Sequence, residues 1–434
     1  MFHDNSSDGV NDADTIISAT IAHRFVKKFE RPSRDRESEL RDSAITGWIE
    51  FEESHVRKYS GFPYQSASQH YYWERARLVS KDILKPFFEF YIKAPLDFGP
   101  GESYISNKGY TSTFDKLDVR LWSVTFDCLP LFVSLIVHNA GLWSPFLAFA
   151  RKEGLTKRYQ TVCVPRTGAE HRLALVEFVL FELDLVTNGG RGTSVPKNNN
   201  ARRFINIECF GNVLVQKQIG WSIRQCLKLA GCDLDEGQDY HQKLIRNQVT
   251  TIDWSSASDS INYQVAKSLI PREVFDLIDS SRSFTCRLKY DVDGEPSYVD
   301  HVPYKLSSMG NGYTFEVLSL INYAYGLVFD NSVSVYGDDV IIAVDKAGRF
   351  EKTMREIGFV PNREKTFHDL PVKESCGAFY LDWVGYITCY DFKYCHDILD
   401  VILNMNKMRR IINAHPGLTI TRLMERAYNS IVPR

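Results

Sequence analysis

Ser334-Val335-Tyr336-Gly337-Asp338-Asp339-Val340-Ile341-Ile342 sets a glycine and two acids between two short apolar runs. The runs read as β-strands, and the Gly-Asp-Asp between them as a tight hairpin turn. Carboxylates a few ångströms apart repel at neutral pH. A hard cation such as Mg²⁺ or Mn²⁺ relieves that repulsion through oxygen ligands. The stretch therefore points to metal-dependent phosphoryl transfer at a hairpin tip, against the plainer reading of an acidic surface turn. Tyr-Gly-Asp-Asp arises by chance in about one chain of this length in several hundred, so its neighbours decide.

Upstream lies Thr251-Ile252-Asp253-Trp254-Ser255-Ser256-Ala257-Ser258-Asp259-Ser260. Asp253 closes an apolar strand and can share a cation with Asp338. Asp259 is either the N-cap of the next helix or a partner for a ribose hydroxyl. Between the two motifs stands Leu306-Ser307-Ser308-Met309-Gly310-Asn311-Gly312-Tyr313-Thr314-Phe315-Glu316. Its glycines allow close backbone approach, and Ser308, Asn311 and Thr314 supply neutral hydrogen bonds. Such a loop suits a sugar or base, although a plain helix-capping loop has the same composition. Further upstream, Lys197, Arg202 and Arg203 lie within Ser194 to Ile205. These cations can grip a triphosphate. A solvated basic loop is the alternative, and the apolar neighbours tie the segment to a core.

The chain has 434 residues, 44% hydrophobic and 24% charged, as expected for a soluble globular protein of two or three domain-sized units. No secretory signal is visible. The longest apolar tract, Leu129 to Val137, falls short of the about 20 residues a bilayer takes and is expected to be a core helix. Nine irregularly spaced cysteines without a Cys-x-x-Cys pair argue for reduced thiols in a cytosolic compartment. Cys389, Cys395 and His396 lack an evident fourth partner for zinc. The net charge of −2 gives no global sign of nucleic-acid binding. From Leu185 to Ala230, however, seven basic residues stand against one acid, Glu208. A basic stretch ahead of an acidic site suits a polyphosphate substrate.

The first fourteen residues are acidic and expected to fray. Lys27 to Asp42 alternates in charge sign, as a solvated helix or loop does. From Tyr71 to Val186 the pattern is mainly helical, with helices at Ser80 to Ile92 and Leu173 to Val186. Asn188-Gly189-Gly190-Arg191-Gly192 is expected to break regular structure as a hinge or phosphate-approaching loop. It lacks the Lys-Ser/Thr ending of a P-loop. Next come strand Val249 to Ile252, helix Ser260 to Ser280, and a hairpin of Phe284 to Tyr290 with Tyr298 to Val302, turning at Asp293-Gly294. Helix Thr314 to Val328, the acidic hairpin, helix Gly348 to Ile357, and strands near Lys365 to Phe367 and Ala378 to Tyr390 follow. The order strand–helix–strand–strand–helix–strand is ferredoxin-like. One antiparallel sheet would then set the end of the Asp253 strand beside the Gly-Asp-Asp turn.

Asp253-x5-Asp259, Ser308 to Phe315, Tyr336-Gly337-Asp338-Asp339 and Glu374-Ser375-Cys376-Gly377 stand in the order and spacing of viral RNA-dependent RNA polymerase motifs. Their wording most resembles the replicase subunit of small single-stranded RNA bacteriophages of the levivirus type. Val195 to Asn198, Gly358-Phe359 through Asn362, Lys365-Thr366-Phe367 and Gly99 to Ser103 extend the resemblance, which covers roughly Gly99 to Gly377. It implies an α+β right-hand polymerase with fingers, a ferredoxin-like palm and a short thumb. Residues 1–70 would be an N-terminal extension, 71–248 mainly fingers, 249–377 the palm, and 378–434 the end of the palm and a short or truncated thumb.

By that resemblance Asp253, Asp338 and Asp339 would hold two Mg²⁺ ions, with Mn²⁺ as an alternative. Lys365 would be catalytic, protonating pyrophosphate. Lys197, Arg202, Arg203, Asp259, Ser308, Gly310 and Asn311 would bind the nucleotide, Asp259 and Asn311 at its ribose. Glu374 to Gly377 would be a turn gripping the primer or nascent strand. Leu318 stands where some related polymerases carry an asparagine, which loosens the expected ribose network. The partners implied are template and nascent RNA, nucleoside triphosphates, host elongation factors Tu and Ts and a ribosomal protein, in the cytoplasm of an infected bacterium and away from membranes. A reverse-transcriptase-like polymerase and a non-catalytic RNA-binding palm remain alternatives. The small residues Ser255 to Ser258 favour ribonucleotides over the former, and the intact acids count against the latter.

Overall fold

Four antiparallel strands carry the acidic hairpin, in the order Val360–Pro361, Val249–Ser255, Asp339–Ala343, Ser334–Tyr336. The computed structural model describes residues 11–28, 33–56, 66–105, 112–163, 167–292, 295–368 and 371–431. Ile252, Trp254, Val335, Val340 and Ile342 of this sheet are buried in the main core. Helix Thr314–Phe329 is buried along nearly its whole length, as a helix apolar on all sides should be. Helix Val344–Glu356 adds Ala347, Phe350 and Met354 to the same core.

The topology is ferredoxin-like, built from strand Val249–Ser255, helix Thr314–Phe329, the acidic hairpin, helix Val344–Glu356 and strand Val360–Pro361. The sequence order suggests a different membership. Strands Thr285–Val292 and Glu295–His301 do form a hairpin, but it leaves this sheet. It joins Gly189–Asn198 and Ala201–Ile207 in a second four-stranded sheet. Its inward residues Cys286 and Leu288 bury against Phe204, Ile45 and Trp48 rather than in the main core. The expected turn at Asp293-Gly294 lies outside the described residues.

The glycine run at 188–192 is not a hinge. It opens strand Gly189–Asn198, which pairs with Ala201–Ile207 on one side and, in parallel, with Thr285 to Arg287 on the other. Glycine is required there by close approach of the strands. A Cβ on Gly189 would stand 2.0 Å from the Thr285 carbonyl oxygen, and one on Gly192 2.7 Å from Leu288.

Proline breaks two helices expected to be continuous. The 260–280 stretch divides into Tyr263–Leu269 and Arg272–Ser281, because Pro271 forces Ile270 to an extended ψ of 137°. Helix Ala67–Ile83 likewise ends before Pro86, and a short helix, Phe87–Tyr91, follows. Helix Gly168–Glu182 stops before Val186, which lies in a two-residue strand. Near Lys365 the only strand pairing among the described residues is a bridge between Thr251 and Phe367. Ala378 to Tyr390 is a hairpin, Ala378–Leu381 with Gly385–Ile387, and Val372–Ser375 pairs with it.

Leu129–His138 is a core helix. Among the described residues no single helix is long and apolar enough to cross a membrane, although this helix and Ala140–Lys152, bent by 96°, pass by length and composition together. Residues 1–10, expected to fray, lie outside the described residues. From Asn11 to Val26 the chain is helical, and Ile16, Ile17 and Ile21 bury against Val372, Leu381, Ile387 and Met405. A second helix, Arg34–Phe51, occupies much of the charge-alternating segment. It buries Ile45 and Trp48 against the second sheet.

Gly189→Ala should lower stability by about 1–3 kcal/mol, since the opposing atom belongs to the backbone and cannot swing aside. Chemical denaturation measures this, and a midpoint equal to the parent's would show that the two strands can part without cost.

Candidate active site

Tyr336 pairs with Asp339, so the turn consists of Gly337 and Asp338 alone and Asp339 opens the return strand. Gly337 has φ +63°, and a Cβ there would stand 2.3 Å from the Phe315 ring. The helix beneath grips this residue from both ends. Gly337 N–H donates to Ser319 Oγ at 3.0 Å, and Asn322 Nδ2 donates to the Gly337 carbonyl at 2.8 Å. Sequence reasoning passed over Ser319 and Asn322. Their signal was two polar residues at helical spacing inside an otherwise apolar helix.

Asp253 pairs with Asp339 across the sheet, and opposed residues of an antiparallel pair share a face. Asp253 Oδ2 accepts from Asn362 Nδ2 at 2.8 Å, and Oδ1 lies 3.6 Å from Lys365 Nζ. Asp339 Oδ2 accepts the Cys376 N–H at 3.2 Å. Burial, then the charges of Glu374, Asp338 and Asp253, push the Asp339 carboxyl up to about 8. Burial and then Asp253 raise Asp338 as well. Burial draws the Lys365 ammonium down, but Glu374, Asp253, Asp339 and Asp338 outweigh it, and its pKa ends raised.

Among the described residues no three or more His, Cys, Asp or Glu side chains are gathered closely enough to hold a metal ion by themselves, neither Asp253, Asp338 and Asp339 nor Cys389, Cys395 and His396. The acidic centre is an open, oxygen-only donor set whose members oppose one another's ionisation. That chemistry fits a divalent cation taking its remaining ligands from phosphate or water.

Most of the basic stretch is spent on local ion pairs. Arg191 meets Glu102 at 3.2 Å, Lys217 meets Asp97 at 3.4 Å, Arg224 meets Glu316 at 2.7 Å and Lys228 meets Asp233 at 2.8 Å. Arg202, expected on the triphosphate, is held by Glu37 at 2.9 Å and by Ser194. Consecutive strand residues point to opposite faces, so Arg202 and Arg203 leave the strand on opposite sides. Lys197 and Arg203 have no ion pair among the described residues. Both belong electrostatically to the acidic centre. Burial lowers the Lys197 ammonium, Arg203 and Lys365 lower it further, and Asp253 and Asp338 oppose them. Arg203 in turn draws Asp338 down.

In the 307–312 loop the Ser308 carbonyl accepts from Thr314 Oγ1 at 3.1 Å and Asn311 N–H at 3.2 Å. Gly310 has φ +109°, and a Cβ there would stand 2.1 Å from the Asn206 carbonyl oxygen. Asn311 Oδ1 accepts from Tyr313 N–H, whereas its Nδ2 is buried with no hydrogen-bond partner among the described residues. A cavity of about 480 Å³ brings Asn311 and Tyr336 together with Gly99 to Ser103, Lys217 and Arg224. Asp259 does not cap the following helix; Asn262 does. Its Oδ1 accepts instead from the ammonium of Lys305, which sequence reasoning missed, since a single lysine among apolar residues carries no motif. Leu318 is buried in the main core and adds no polar group to the site. Cys376 (φ +50°) and Gly377 (φ +78°) form the turn between Val372–Ser375 and Ala378–Leu381, and Arg24 Nη2 donates to the Gly377 carbonyl at 2.8 Å.

Residues 139–434 match the family described as RNA replicase, beta-chain. The RNA-directed RNA polymerase subunit beta of Enterobacteria phage SP is 38% identical over 237 residues, 52% of this chain and 40% of that protein. That of Escherichia virus Qbeta is 34% identical over 261 residues, 57% of this chain and 43% of that protein. The match therefore spans about two-fifths of the length of these relatives. The RNA-dependent RNA polymerase of bacteriophage phi12 aligns with 95% of this chain and 69% of its own, at 12% identity and a TM-score of 0.41, a likeness too slight to bear on the argument.

Asn322→Leu should cost about 1–3 kcal/mol, because it leaves the buried Gly337 carbonyl without a donor. Thermal or urea unfolding tests this; an unchanged stability would show that Asn322 does not brace the turn.

Proposed function

This chain belongs to the RNA replicase beta-chain family, and we propose on that footing that it joins ribonucleotides on an RNA template. One observation carries the reading: Asp253, Asp338 and Asp339 share an electrostatic centre with Lys197 and Arg203, the two cations of the basic hairpin without an ion pair among the described residues. A nucleoside triphosphate needs both halves, carboxylates for its cations and cations for its phosphates.

In the proposed reaction the 3′-hydroxyl oxygen of the nascent strand attacks the α-phosphorus in line, its proton passes to solvent water, and the bond to pyrophosphate breaks. Lys197 and Arg203 bind the triphosphate and offset the charge that builds as pyrophosphate leaves. Lys365, whose pKa four neighbouring carboxylates raise against the effect of burial, would give a proton to that leaving group. Asp253, Asp338 and Asp339 would hold two Mg²⁺ ions, or Mn²⁺, which when bound would acidify the hydroxyl and neutralise phosphate charge. Asp259 and Asn311 read the ribose, with Ser308 and Gly310 shaping the loop. Asn311 Nδ2 is a donor awaiting an acceptor. The cavity beside it suits a base of the template. Residues 71–248 would act as fingers, 249–377 as palm and 378–434 as thumb. Relatives are named beta subunit or beta chain, which supports action within a larger complex. Host elongation factors Tu and Ts and a ribosomal protein, in the bacterial cytoplasm, belong to the proposal.

Asp338→Asn should lower nucleotide incorporation about a thousandfold or more, the several kcal/mol that cation-held charge stabilisation supplies, while folding and RNA affinity persist. Incorporation of labelled nucleotide on a primed template measures it, and near-parental activity removes the catalytic assignment. Arg203→Ala should raise the nucleotide KM about tenfold or more, as expected for a lost charge-assisted hydrogen bond, whereas Arg202→Ala should leave KM nearly unchanged. Equal effects of the two would put both arginines, or neither, on the triphosphate.

A further inference from the structure

The carboxylate of Asp259 is held by a lysine that the rest of the protein has gone to some lengths to bury. Lys305 has no exposed side-chain surface, and its Nζ bonds Asp259 Oδ1, lies 3.5 Å from Glu52 Oε1 and stands 4.2 Å above the Trp48 ring. Glu52 is equally buried. Its other oxygen, Oε2, accepts the Tyr304 N–H at 2.7 Å, and His301 Nε2 stands 3.8 Å away. A lone buried ammonium would be prohibitively costly, so the three charges must stand or fall together. Glu52 begins a π-helical turn, Glu52–Val56, directly after helix Arg34–Phe51. Such turns recur at functional positions. The same turn makes a second contact with the Asp259 region, where Asn262 Nδ2 donates to the Val56 carbonyl at 3.1 Å.

Asp259 itself is partly open, its side chain 23% exposed. One oxygen is fixed by Lys305, and Oδ2 makes no hydrogen bond among the described residues. A carboxylate anchored by one oxygen and open at the other is an aimed acceptor. We propose that Lys305, seated by Glu52 and Trp48 of the N-terminal segment, is a positioning residue that aims Asp259 at the ribose 2′-hydroxyl, so that this segment sets the choice between ribo- and deoxyribonucleotides. The inference rests on the reading of Asp259 as a ribose contact and goes beyond it by naming what controls that contact. Neither Glu52 nor Lys305 touches the nucleotide in this arrangement. Their effect is on orientation, and it falls on the substrate that carries the hydroxyl.

The test compares kcat and KM for a ribonucleoside triphosphate and its 2′-deoxy counterpart in the full chain with its partner subunits. The variants are Lys305→Met, Lys305→Arg, Glu52→Gln and the double variant Glu52→Gln/Lys305→Met. The double variant removes both buried charges, so it guards against a Lys305→Met protein that fails to fold around an uncompensated Glu52. Lys305→Met and the double variant should raise the ribonucleotide KM about tenfold with little change in kcat, the scale of a hydrogen bond to a charged group. The deoxyribonucleotide KM should barely move, so discrimination collapses. Lys305→Arg should restore part of it, and Glu52→Gln should shift it in the same direction by less. Equal losses for both sugars, in the single or the double variant, overturn the inference. If Asp259→Ala abolishes discrimination while the Lys305 variants keep it, the inference fails and the ribose reading stands. If the parent protein incorporates no nucleotide, both fail.

Discussion

Two carboxylates face each other across a pair of hydrogen-bonded strands, and the register gives them no alternative. Val249 to Asp253 runs against Asp339 to Ala343 with Ile252 opposite Val340 and Thr250 opposite Ile342. A slip of one residue would turn either Ile252 or the pair Val340 and Ile342 away from the core, according to which strand moved, so burial locks the register and with it the opposition of Asp253 and Asp339. Like charges in that position are unfavourable. Burial makes them more so, and the raised carboxyls of Asp338 and Asp339 express the cost. The surroundings answer it in part, through Asn362 on Asp253, the Cys376 amide on Asp339 and the Lys365 ammonium. What they leave unanswered is part of the mutual repulsion of Asp253, Asp338 and Asp339.

The same constraint explains why the basic hairpin belongs to another sheet. Cations placed on the acidic strands would neutralise the centre permanently. Carried on a separate sheet, Lys197 and Arg203 remain close enough to feel Asp253 and Asp338 yet have no ion pair of their own among the described residues. Strand alternation then divides the labour between neighbours. Arg203 stays on the side of the acidic centre, while Arg202 faces away and ties the strand to Glu37 of the second helix.

Much of this could be read from the residues alone, because it is local. A Gly-Asp turn between apolar runs, an aspartate near a strand end, and an apolar helix are each specified within about a dozen residues. What stayed illegible depends on partners distant in the chain. The glycines at 189–192 look like a flexible loop until Thr285 and Leu288 are seen to press against them. The 285–301 hairpin has ordinary strand composition, and nothing within it says which sheet it will join. Pro271 and Pro86 could have been weighed as helix breakers, and the apolar periodicity on either side concealed them. Arg202 and Arg203 are indistinguishable as a dipeptide; only the face of the strand separates them. Glu52, in a segment of mixed charge, gives no hint that its carboxylate will be wholly buried 253 residues from Lys305.

The N-terminal helices show how such distant contacts are organised. They do not pack chiefly on each other. The first lends Ile16, Ile17 and Ile21 to the core that holds the Cys376-Gly377 turn's strands, and Arg24 reaches the Gly377 carbonyl. The Asn199 N–H and side chain meanwhile bond carbonyls at Lys27 and Val26, joining the tip of the basic hairpin to the end of that helix. The second helix stacks Trp48 on Phe204, next to Arg203, and its continuation buries Glu52 against Lys305. Residues from the first 56 thus back the Cys376-Gly377 turn, the basic hairpin and Lys305, whereas the acidic hairpin is braced from beneath by Ser319 and Asn322. Three elements brought together from distant parts of the chain therefore share one N-terminal support, so their relative positions depend on how these two helices pack.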